Sequence, residues 1–235
     1  MEYKLIILVM CSSSAKYRRL EKAIKQTWAS IGQPGIKVIF YTDNQRKLFK
    51  NKSALMRGND LTLPCKDGYF ECIEKTLQAF EYVSANYQFQ YIFRTNLGSY
   101  ISLKNILHFL EGMPKEQFYA GIIGDGEYQS KPYRFASGSG YFLSADLVKL
   151  VVDNRDEVPK DTIDDVALGV FMNHHHIPIS DKAIRLSYTD DEKIYQTGDK
   201  TVEHIFDNLI YHVRLRSANR SLDIKRMQAL HNLKF

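Results

Sequence analysis

Two adjacent carboxylates in the second half of this 235-residue sequence could act as an acid or a base. Asp164 and Asp165 stand at the start of a stretch with helical spacing, and a carboxylate held there can take the proton of a hydroxyl group as that group reacts. Thr162 and Asp165 also have the spacing of a capping box, in which the carboxylate only stabilises the helix start. Both roles stay open at this point.

A group of basic residues near the end of the sequence could bind phosphate. Arginine grips phosphate oxygens through two parallel hydrogen bonds, so a cluster of arginines suits a phosphorylated ligand. The same residues could instead form a solvated basic face. The group consists of His212, Arg214, Arg216 and Arg220, with Lys225 and Arg226 beyond it.

The elements that must position these residues alternate between strands and helices. Apolar runs at Tyr3–Met10, Lys37–Tyr41 and Tyr91–Arg94 predict buried strands, and helical spacing predicts helices over Tyr17–Ser30 and from Asp67 to about Val83. The rest of the chain predicts a helix Leu103–Leu110, strands Tyr119–Ile123 and Tyr141–Leu143, a helix Ala145–Val152 capped by Ser144, and a helix capped by Thr162. The alternation predicts an α/β fold with a mostly parallel sheet, in one domain over residues 1–235.

Ligands of such sheets bind beyond the carboxyl ends of the strands. Four segments are predicted to meet at that edge, because each follows a predicted strand. They are Ser12–Ser14, Thr42–Asn44, Thr95–Ser99 and Gly124–Glu127. We therefore expect the ligand site among these segments.

Composition narrows the classes of function. The net charge of +5 is compatible with an anionic ligand or with peripheral contact with a membrane, but no block of Lys and Arg predicts nucleic-acid binding. Three cysteines without a CxxC pair fit a reducing compartment. No apolar run reaches the roughly 18–20 residues of a membrane span, so we expect a soluble protein.

Common motifs of nucleotide and ester chemistry are absent. The sequence has no GxxxxGK[ST] phosphate loop, no GxGxxG turn after a strand and no GxSxG elbow. These absences disfavour nucleoside triphosphate hydrolysis, dinucleotide redox chemistry and hydrolases of the GxSxG class.

Ordered motifs over about residues 3–180 resemble the beta-1,3-galactosyltransferase and fringe family of sugar-nucleotide transferases (glycosyltransferase family 31-like). The motifs are Ile39–Asp43; Asp67-Gly68-Tyr69 with Lys75-Thr76-Leu77; Tyr91–Thr95; Ser137–Tyr141 with Ser144; and Asp164-Asp165-Val166 with Gly169. The resemblance implies a glycosyltransferase-A type fold, with a Rossmann-like, mostly parallel mixed sheet flanked by helices. It also implies inverting transfer of a sugar from a nucleoside diphosphate. Usual members of the family are anchored in the Golgi membrane; since this sequence shows no anchor, the resemblance indicates a cytoplasmic enzyme of bacterial or viral type, unless an anchor has been removed. About residues 1–95 would bind the nucleotide sugar, and about residues 96–235 would hold the acceptor half and the basic tail.

Carried onto this sequence, the resemblance gives roles to particular residues. Asp165 would be the general base, with Asp164 as the second choice. Residues expected on the donor side are Ser12, Ser13, Thr42, Asp43, Asp67, Lys75, Arg94, Thr95, Asn96, His212, Arg214, Arg216 and Arg220. Residues expected on the acceptor side are Asp125, Glu127, Gly138, Ser139 and Gly140.

Some of these residues have a second interpretation. Asp43 could close a turn instead of binding the nucleoside, and Lys75 could support the site from beneath together with Asp67. Arg94 could approach the diphosphate or pair with Asp67.

The sequence departs from the family at the metal motif. Where relatives carry an acidic triplet, this chain reads Asn96-Leu97-Gly98-Ser99, and Mg²⁺ or Mn²⁺ prefers carboxylate oxygens. The enzyme could work without a metal, hold a divalent cation elsewhere, or be inactive; we favour the first and expect no cofactor. The run His174–His176 resembles a metal tract, but histidines at a helix C-terminus more often complement its dipole.

The sequence thus predicts an inverting glycosyltransferase with a UDP-linked donor and a saccharide acceptor. A retaining transferase on the same fold is the first alternative. A non-catalytic protein that binds nucleotide sugars or glycans is the second, and the missing acidic triplet is its best support. The sequence does not predict an oligomeric state.

Overall fold

A computed structural model describes residues 2–43, 53–66, 68–188, 194–197 and 210–233. The strands are β1 (Glu2–Met10), β2 (Ile36–Asp43), β3 (Leu55–Arg57), β4 (Asp60–Leu63), β5 (Gln88–Asn96), β6 (Ser99–Ile101), β7 (Tyr119–Tyr128), β8 (Lys131–Ser144), β9 (Ile179–Ser180), β10 (Arg185–Tyr188), β11 (Ile194–Thr197) and β12 (His212–Leu215). The helices are α1 (Ala15–Gln26), α2 (Cys72–Asn86), α3 (Leu103–Phe109), α4 (Ala145–Asp153), α5 (Asp164–His174) and α6 (Arg220–Asn232). No helix in these ranges is long and apolar enough to cross a membrane.

The main sheet has eight strands in the order β3-β4-β2-β1-β5-β8-β7-β9. Strands β4, β2, β1 and β5 run parallel to one another, whereas β3 lies antiparallel to β4, and β8 lies antiparallel to both β5 and β7. This arrangement confirms the predicted α/β class with a mostly parallel mixed sheet. Strands from both halves of the sequence take part in this sheet.

The central strand β1 is buried on both faces. Leu5, Ile7 and Val9 pack into one hydrophobic core, while Ile6 and Leu8 pack into a second core on the opposite face. Neighbouring side chains of a strand point to opposite faces, so a strand covered on both sides needs a continuous apolar run. That run is why the sequence predicted this strand correctly.

A second sheet brings the basic tail to the end of β5. Its strand order is β11-β10-β12-β6, and β12 is antiparallel to β6, with Arg214 opposite Ser99. Because β6 follows β5 after only a short turn, this pairing carries the arginines of the tail to the carboxyl edge of the main sheet.

The hairpin of β7 and β8 is longer than the sequence predicted. The predicted end of the strand at Ile123 is wrong, since β7 continues to Tyr128 and β8 begins at Lys131. The ring of Phe135 occupies the space beside Gly124 and Gly126, where a Cβ atom would lie within 2.8 to 3.0 Å of it. The glycines make room for a ring inside the hairpin and do not end the strand.

Two predicted helix starts also need correction. Helix α5 has Ile163, not Thr162, at its N-cap position, so the capping box of Thr162 and Asp165 is wrong. Helix α2 begins at Cys72, and Asp67, its predicted cap, lies outside the described residues. Ser144 does occupy the N-cap position of α4, but its hydroxyl accepts a hydrogen bond from the Phe118 amide.

Replacing Gly140 by alanine is expected to lower the free energy of unfolding by about 1–3 kcal/mol, the usual cost of overpacking. Gly140 faces Thr95 on β5, and a Cβ atom there would lie 2.5 Å from Phe93 and 2.7 Å from His212. Gly112→Ala is the matched control, because nothing lies within 4 Å of its Cβ position. Urea unfolding of both variants measures the difference, and equal midpoints would refute the expected clash.

Candidate functional site

A cleft of about 570 Å³ opens where β1, β5 and β12 end. Its volume falls in the range of small-ligand sites. The cleft lies at the carboxyl edge of the parallel strands, as the sequence predicted for Ser12 and for the segment after Thr95. It is lined by Met10, Cys11, Ser12, Tyr17, Leu20, Gly68, Tyr69, Cys72, Lys75, Asn96, Leu97, Gly98, Arg214, Leu215, Arg216 and Arg220.

The cleft is strongly positive. Arg214, Arg216 and Arg220 line it together with Lys75, and none of the described lining residues is acidic. Burial lowers the pKa of Arg214, and the positive charges of Arg216 and Arg220 lower it further. Such mutual repulsion among cations is relieved when an anion binds between them.

A buried ion pair supports the cleft from below. The ammonium of Lys75 lies 3.4 Å from a carboxylate oxygen of Asp43 and donates to the carbonyl oxygen of Cys11 at 3.2 Å. The hydroxyls of Ser13 and Thr42 donate to Asp43 at 3.2 and 3.3 Å. Because Asp43 is buried and already accepts these hydrogen bonds, its place in the structure is that of a support under the end of β2.

Arg94 and Asp164 form a second buried ion pair, directly behind the cleft. The guanidinium of Arg94 also donates to the Gly138 carbonyl and, at 3.2 Å, to the Tyr41 hydroxyl. Thr76 donates to Asp164 at 3.4 Å. The pair therefore ties β5 to β8 and to the first turn of α5, and Arg94 is directed at Asp164 and not at the cleft.

Asp165 is the more accessible of the two carboxylates. Its carboxylate accepts a hydrogen bond from the Gly138 amide at 2.8 Å and another from the Val166 amide at 3.1 Å. Burial raises the pKa of the Asp165 carboxyl above its ordinary value, and the charge of Asp164 raises it further, against the lowering effect of the Gly138 bond and of Arg94. A raised pKa makes a carboxylate a stronger proton acceptor.

A network of polar residues joins β5 to β8 and β12. The Thr95 hydroxyl donates to the Ser139 carbonyl at 2.6 Å, and Ser99 donates to the same oxygen at 3.1 Å. His212 lies 2.9 Å from the Ser99 hydroxyl and is buried. Burial, and then the charges of Arg185 and Arg214, hold the pKa of His212 well below its ordinary value. His212 is therefore a neutral part of this network near pH 7, and it does not line the cleft.

The residues at the family's metal position do not fit a divalent cation. The side-chain oxygen of Asn96 accepts a hydrogen bond from the Gly98 amide at 3.0 Å, and its amide group donates to the Gly138 carbonyl at 3.4 Å. Asn96 thus uses its only side-chain oxygen to close a turn. Within the described ranges, no three His, Cys, Asp or Glu side chains are grouped as metal ligands.

The expected acceptor residues are distributed over one long hairpin. Asp125 and Glu127 are exposed on β7, where Asp125 lies 3.6 Å from Arg134, and neither lines the cleft. Gly138, Ser139 and Gly140 lie in β8, and the Gly138 amide contacts Asp165. The structure thus places Gly138 and its neighbours next to the carboxylate of Asp165, whereas Asp125 and Glu127 lie elsewhere on the hairpin.

One charged residue of the site was missed by the sequence analysis. Arg185 begins β10, is 94% buried, and donates to the hydroxyls of Ser137 and Ser139. A single arginine in a short strand far from the other motifs gives no signal in a sequence. Only the pairing of β10 with β12 brings Arg185 near Arg214.

Parts of the chain are similar to known galactosyltransferases. The family profile for galactosyltransferases matches residues 122–183, which include most of the hairpin and α5. The chain is 24% identical to hydroxyproline O-galactosyltransferase GALT2 of Arabidopsis thaliana over 180 residues, covering 64% of this chain and 26% of that protein. It is 23% identical to GALT5 of the same plant over 143 residues, covering 52% of this chain and 21% of that protein. The chain thus spans about a quarter of the length of these relatives.

A solved structure shares the fold over nearly the whole chain. It is a glycosyltransferase involved in the glycosylation of the major capsid of PBCV-1, with a TM-score of 0.54 and 14% identity, and the match covers 96% of this chain and 98% of that one. This likeness confirms the glycosyltransferase-A type fold that the motifs implied.

Proposed function

We propose that the chain belongs to the galactosyltransferase-like family that its motifs indicated and that it is an inverting glycosyltransferase. Its donor is a nucleoside diphosphate sugar with UDP as the nucleotide, and its acceptor is a saccharide. The two similar plant proteins are named as galactosyltransferases, so galactose is the first donor sugar to test.

One observation carries the proposal: a cleft rich in arginine lies beside a carboxylate whose pKa is raised. Arg214 links the two parts, since it lines the cleft and is close enough to Asp165 for that carboxylate to raise its pKa. A sugar transfer needs cations where the diphosphate leaves and a base where the acceptor hydroxyl attacks. This chain has both kinds of group within one site.

The proposed reaction proceeds in one displacement. The acceptor hydroxyl attacks the anomeric carbon of the donor from the face opposite the diphosphate, and its proton passes to Asp165. The bond between the anomeric carbon and the diphosphate oxygen breaks, and the electron pair leaves with the nucleoside diphosphate. Arg214, Arg216 and Arg220 stabilise the negative charge on that leaving group. Inversion at the anomeric carbon follows from the single displacement.

Buried residues around the cleft position these groups. Lys75 and Asp43 hold the end of β2 beneath the nucleotide, and Arg94 with Asp164 holds the first turn of α5. In this scheme Asp164 is a positioning residue, because its carboxylate is committed to Arg94 while Asp165 stays accessible.

Transfer by this enzyme is expected to survive removal of divalent cations, because the Asn96 side chain closes a turn where relatives carry metal ligands. The measurement is the rate of product formation in excess EDTA, which removes bound divalent ions, and then with Mn²⁺ restored. A rate that EDTA abolishes and Mn²⁺ restores would contradict this prediction.

Removing a single arginine from the cleft is expected to weaken UDP binding by roughly ten- to a hundredfold, since a charge-assisted hydrogen bond contributes about 1.5–3 kcal/mol. Arg214→Ala, Arg216→Ala and Arg220→Ala are compared by titration calorimetry, with the exposed Arg19→Ala on α1 as the control. Arg220 also pairs with Asp223 at 2.7 Å, so melting temperatures accompany its titration. Normal UDP affinity in all three variants would rule out this cluster as the diphosphate site.

The function itself is tested by screening UDP sugars for an increase in melting temperature, since a ligand of the native state raises it by mass action. Incubation of the best donor with saccharide acceptors follows, with the anomer of the product read by proton NMR. An inverted anomer supports the proposal. A retained anomer would replace it with a retaining transferase. Donor binding with neither transfer nor hydrolysis would leave a nucleotide-sugar-binding protein.

A further inference from the structure

Arg185 is a buried cation without a counter-charge in the described part of the chain. Only 6% of the residue is exposed, and its guanidinium donates to two neutral hydroxyls, those of Ser137 (3.4 Å) and Ser139. Its Nε atom is buried and has no hydrogen-bond partner among the described residues. A buried charge is costly unless it is paired, and the part of the chain that the structure describes offers Arg185 no carboxylate.

Nearby positive charges add to the energetic cost of the buried charge of Arg185. Burial lowers the pKa of Arg185 to about 10, and the positive charges of Arg214 and Arg216 contribute to the lowering. The carboxylate of Asp165 raises the pKa of Arg214, but no carboxylate of the described residues does the same for Arg185. An anion placed beside Arg185 would offset the energetic cost of its burial and counter the repulsion from Arg214 and Arg216.

The other buried arginines have an ionic or an aromatic partner. Arg94 is also buried and pairs with Asp164. Arg226 stacks on the ring of Tyr188, with its central guanidinium carbon 3.8 Å from the ring centre, and donates to Ser217 at 2.8 Å, although one of its terminal nitrogens is buried without a hydrogen-bond partner among the described residues. Arg185 differs in that its described hydrogen-bond partners are only the two serine hydroxyls.

That place is on the acceptor side of the proposed reaction. Ser137 and Ser139, the partners of Arg185, flank Gly138, whose amide hydrogen-bonds to Asp165. Arg185 is not among the residues that line the cleft beside the donor arginines. A group that reaches Arg185 would therefore sit close to the hydroxyl that Asp165 deprotonates.

We propose that Arg185, together with Ser137 and Ser139, binds an anionic substituent of the acceptor sugar. The substituent is a carboxylate, as in a uronic acid, or a phosphate ester; both offer oxygens that accept from a guanidinium and from hydroxyls. This inference rests on the proposed function, and it narrows the acceptor from saccharides in general to acidic ones.

The test compares three small acceptor probes in the presence of saturating UDP. Methyl glucuronoside carries a carboxylate, glucose 6-phosphate carries a phosphate ester, and methyl glucoside is neutral. NMR titration of the wild-type protein is expected to show at least one anionic probe binding about tenfold or more tightly than methyl glucoside. Which of the two it is identifies the anion.

Variants then assign the preference to Arg185. Arg185→Gln is expected to abolish it, Arg185→Lys to keep part of it, and the exposed Arg57→Gln on β3 to leave it unchanged. UDP affinity should stay normal in all three. If Arg185→Gln fails to fold, Arg185→Lys and the wild-type protein still test the inference. A lysine keeps the charge but not the two-pronged geometry, so Arg185→Lys should prefer the anionic probe less strongly than the wild type does.

Several results would overturn the inference. A wild-type protein without preference for either anionic probe would do so, as would a preference that survives Arg185→Gln. A loss of UDP affinity in Arg185→Gln as large as in the cleft variants would assign this arginine to the donor diphosphate. If the wild-type protein does not bind UDP at all, the proposed function fails and this inference fails with it; normal UDP binding without acidic preference removes the inference alone.

Discussion

The variant Asp165→Asn is expected to turn over 10²–10⁴-fold more slowly than the wild type, the usual contribution of a general base. Asparagine keeps the shape of the side chain and one oxygen for the Gly138 amide, so UDP affinity and melting temperature should change little. What it loses is the ability to take a proton. Steady-state kcat for transfer measures the effect.

The pH dependence of the same reaction tests independently whether Asp165 is the base. A base works only when deprotonated, so kcat/KM of the wild type should fall as the pH drops through the pKa of Asp165, which burial and Asp164 raise above its ordinary value. The Asn variant should lack this acidic limb. Near-normal turnover in Asp165→Asn would pass the role to another residue.

Asp164→Asn is expected to fail in a different way, by lowering the free energy of unfolding by about 3–5 kcal/mol. The change leaves the buried guanidinium of Arg94 without its carboxylate, and the cost of an unpaired buried charge is large. Urea unfolding followed by circular dichroism measures the loss.

An exposed ion pair serves as the control for this effect. Lys149 and Asp153 are 2.6 Å apart on α4, with more than half of each side chain exposed, so Asp153→Asn should cost at most about 1 kcal/mol. The double variant Arg94→Met with Asp164→Leu removes both charges and should recover part of the loss. A cost below about 1 kcal/mol for Asp164→Asn would show that the buried pair contributes little.

The sequence predicted the strands that are apolar throughout and missed those that depend on distant partners. Strand β1 and its neighbours β2 and β5 were predicted because burial on both faces requires a continuous apolar run. The short strands β3, β4, β6 and β9 to β12 were missed, because two to four residues carry too little periodicity to detect. The second sheet, which brings Arg214 beside Ser99, therefore could not be foreseen.

In the site, too, the sequence predicted the residue types but not the contacts between distant residues. The residue types in the sequence predicted a carboxylate base and a cluster of phosphate-binding arginines. The cleft does contain Arg214, Arg216 and Arg220. The sequence could not tell which acidic neighbour is committed, because the choice depends on a three-dimensional contact: Asp164 meets Arg94, and Asp165 meets Gly138. Roles for Asp125, Glu127 and the donor residues stay predictions until the variants are measured.

A single peptide segment at Gly138 has a consequence for how such chains can diverge. Its carbonyl accepts from Arg94 and Asn96, on the strand that ends at the cleft, while its amide donates to Asp165. A Cβ atom at this position would lie 3.0 Å from both Arg94 and Asp165. The end of the strand that lines the cleft and the first turn of α5 thus meet at one shared backbone unit. Chimeras that join the first 95 residues of this chain to the remainder of a distant relative should therefore misassemble unless the arginine, the glycine and the carboxylate stay together.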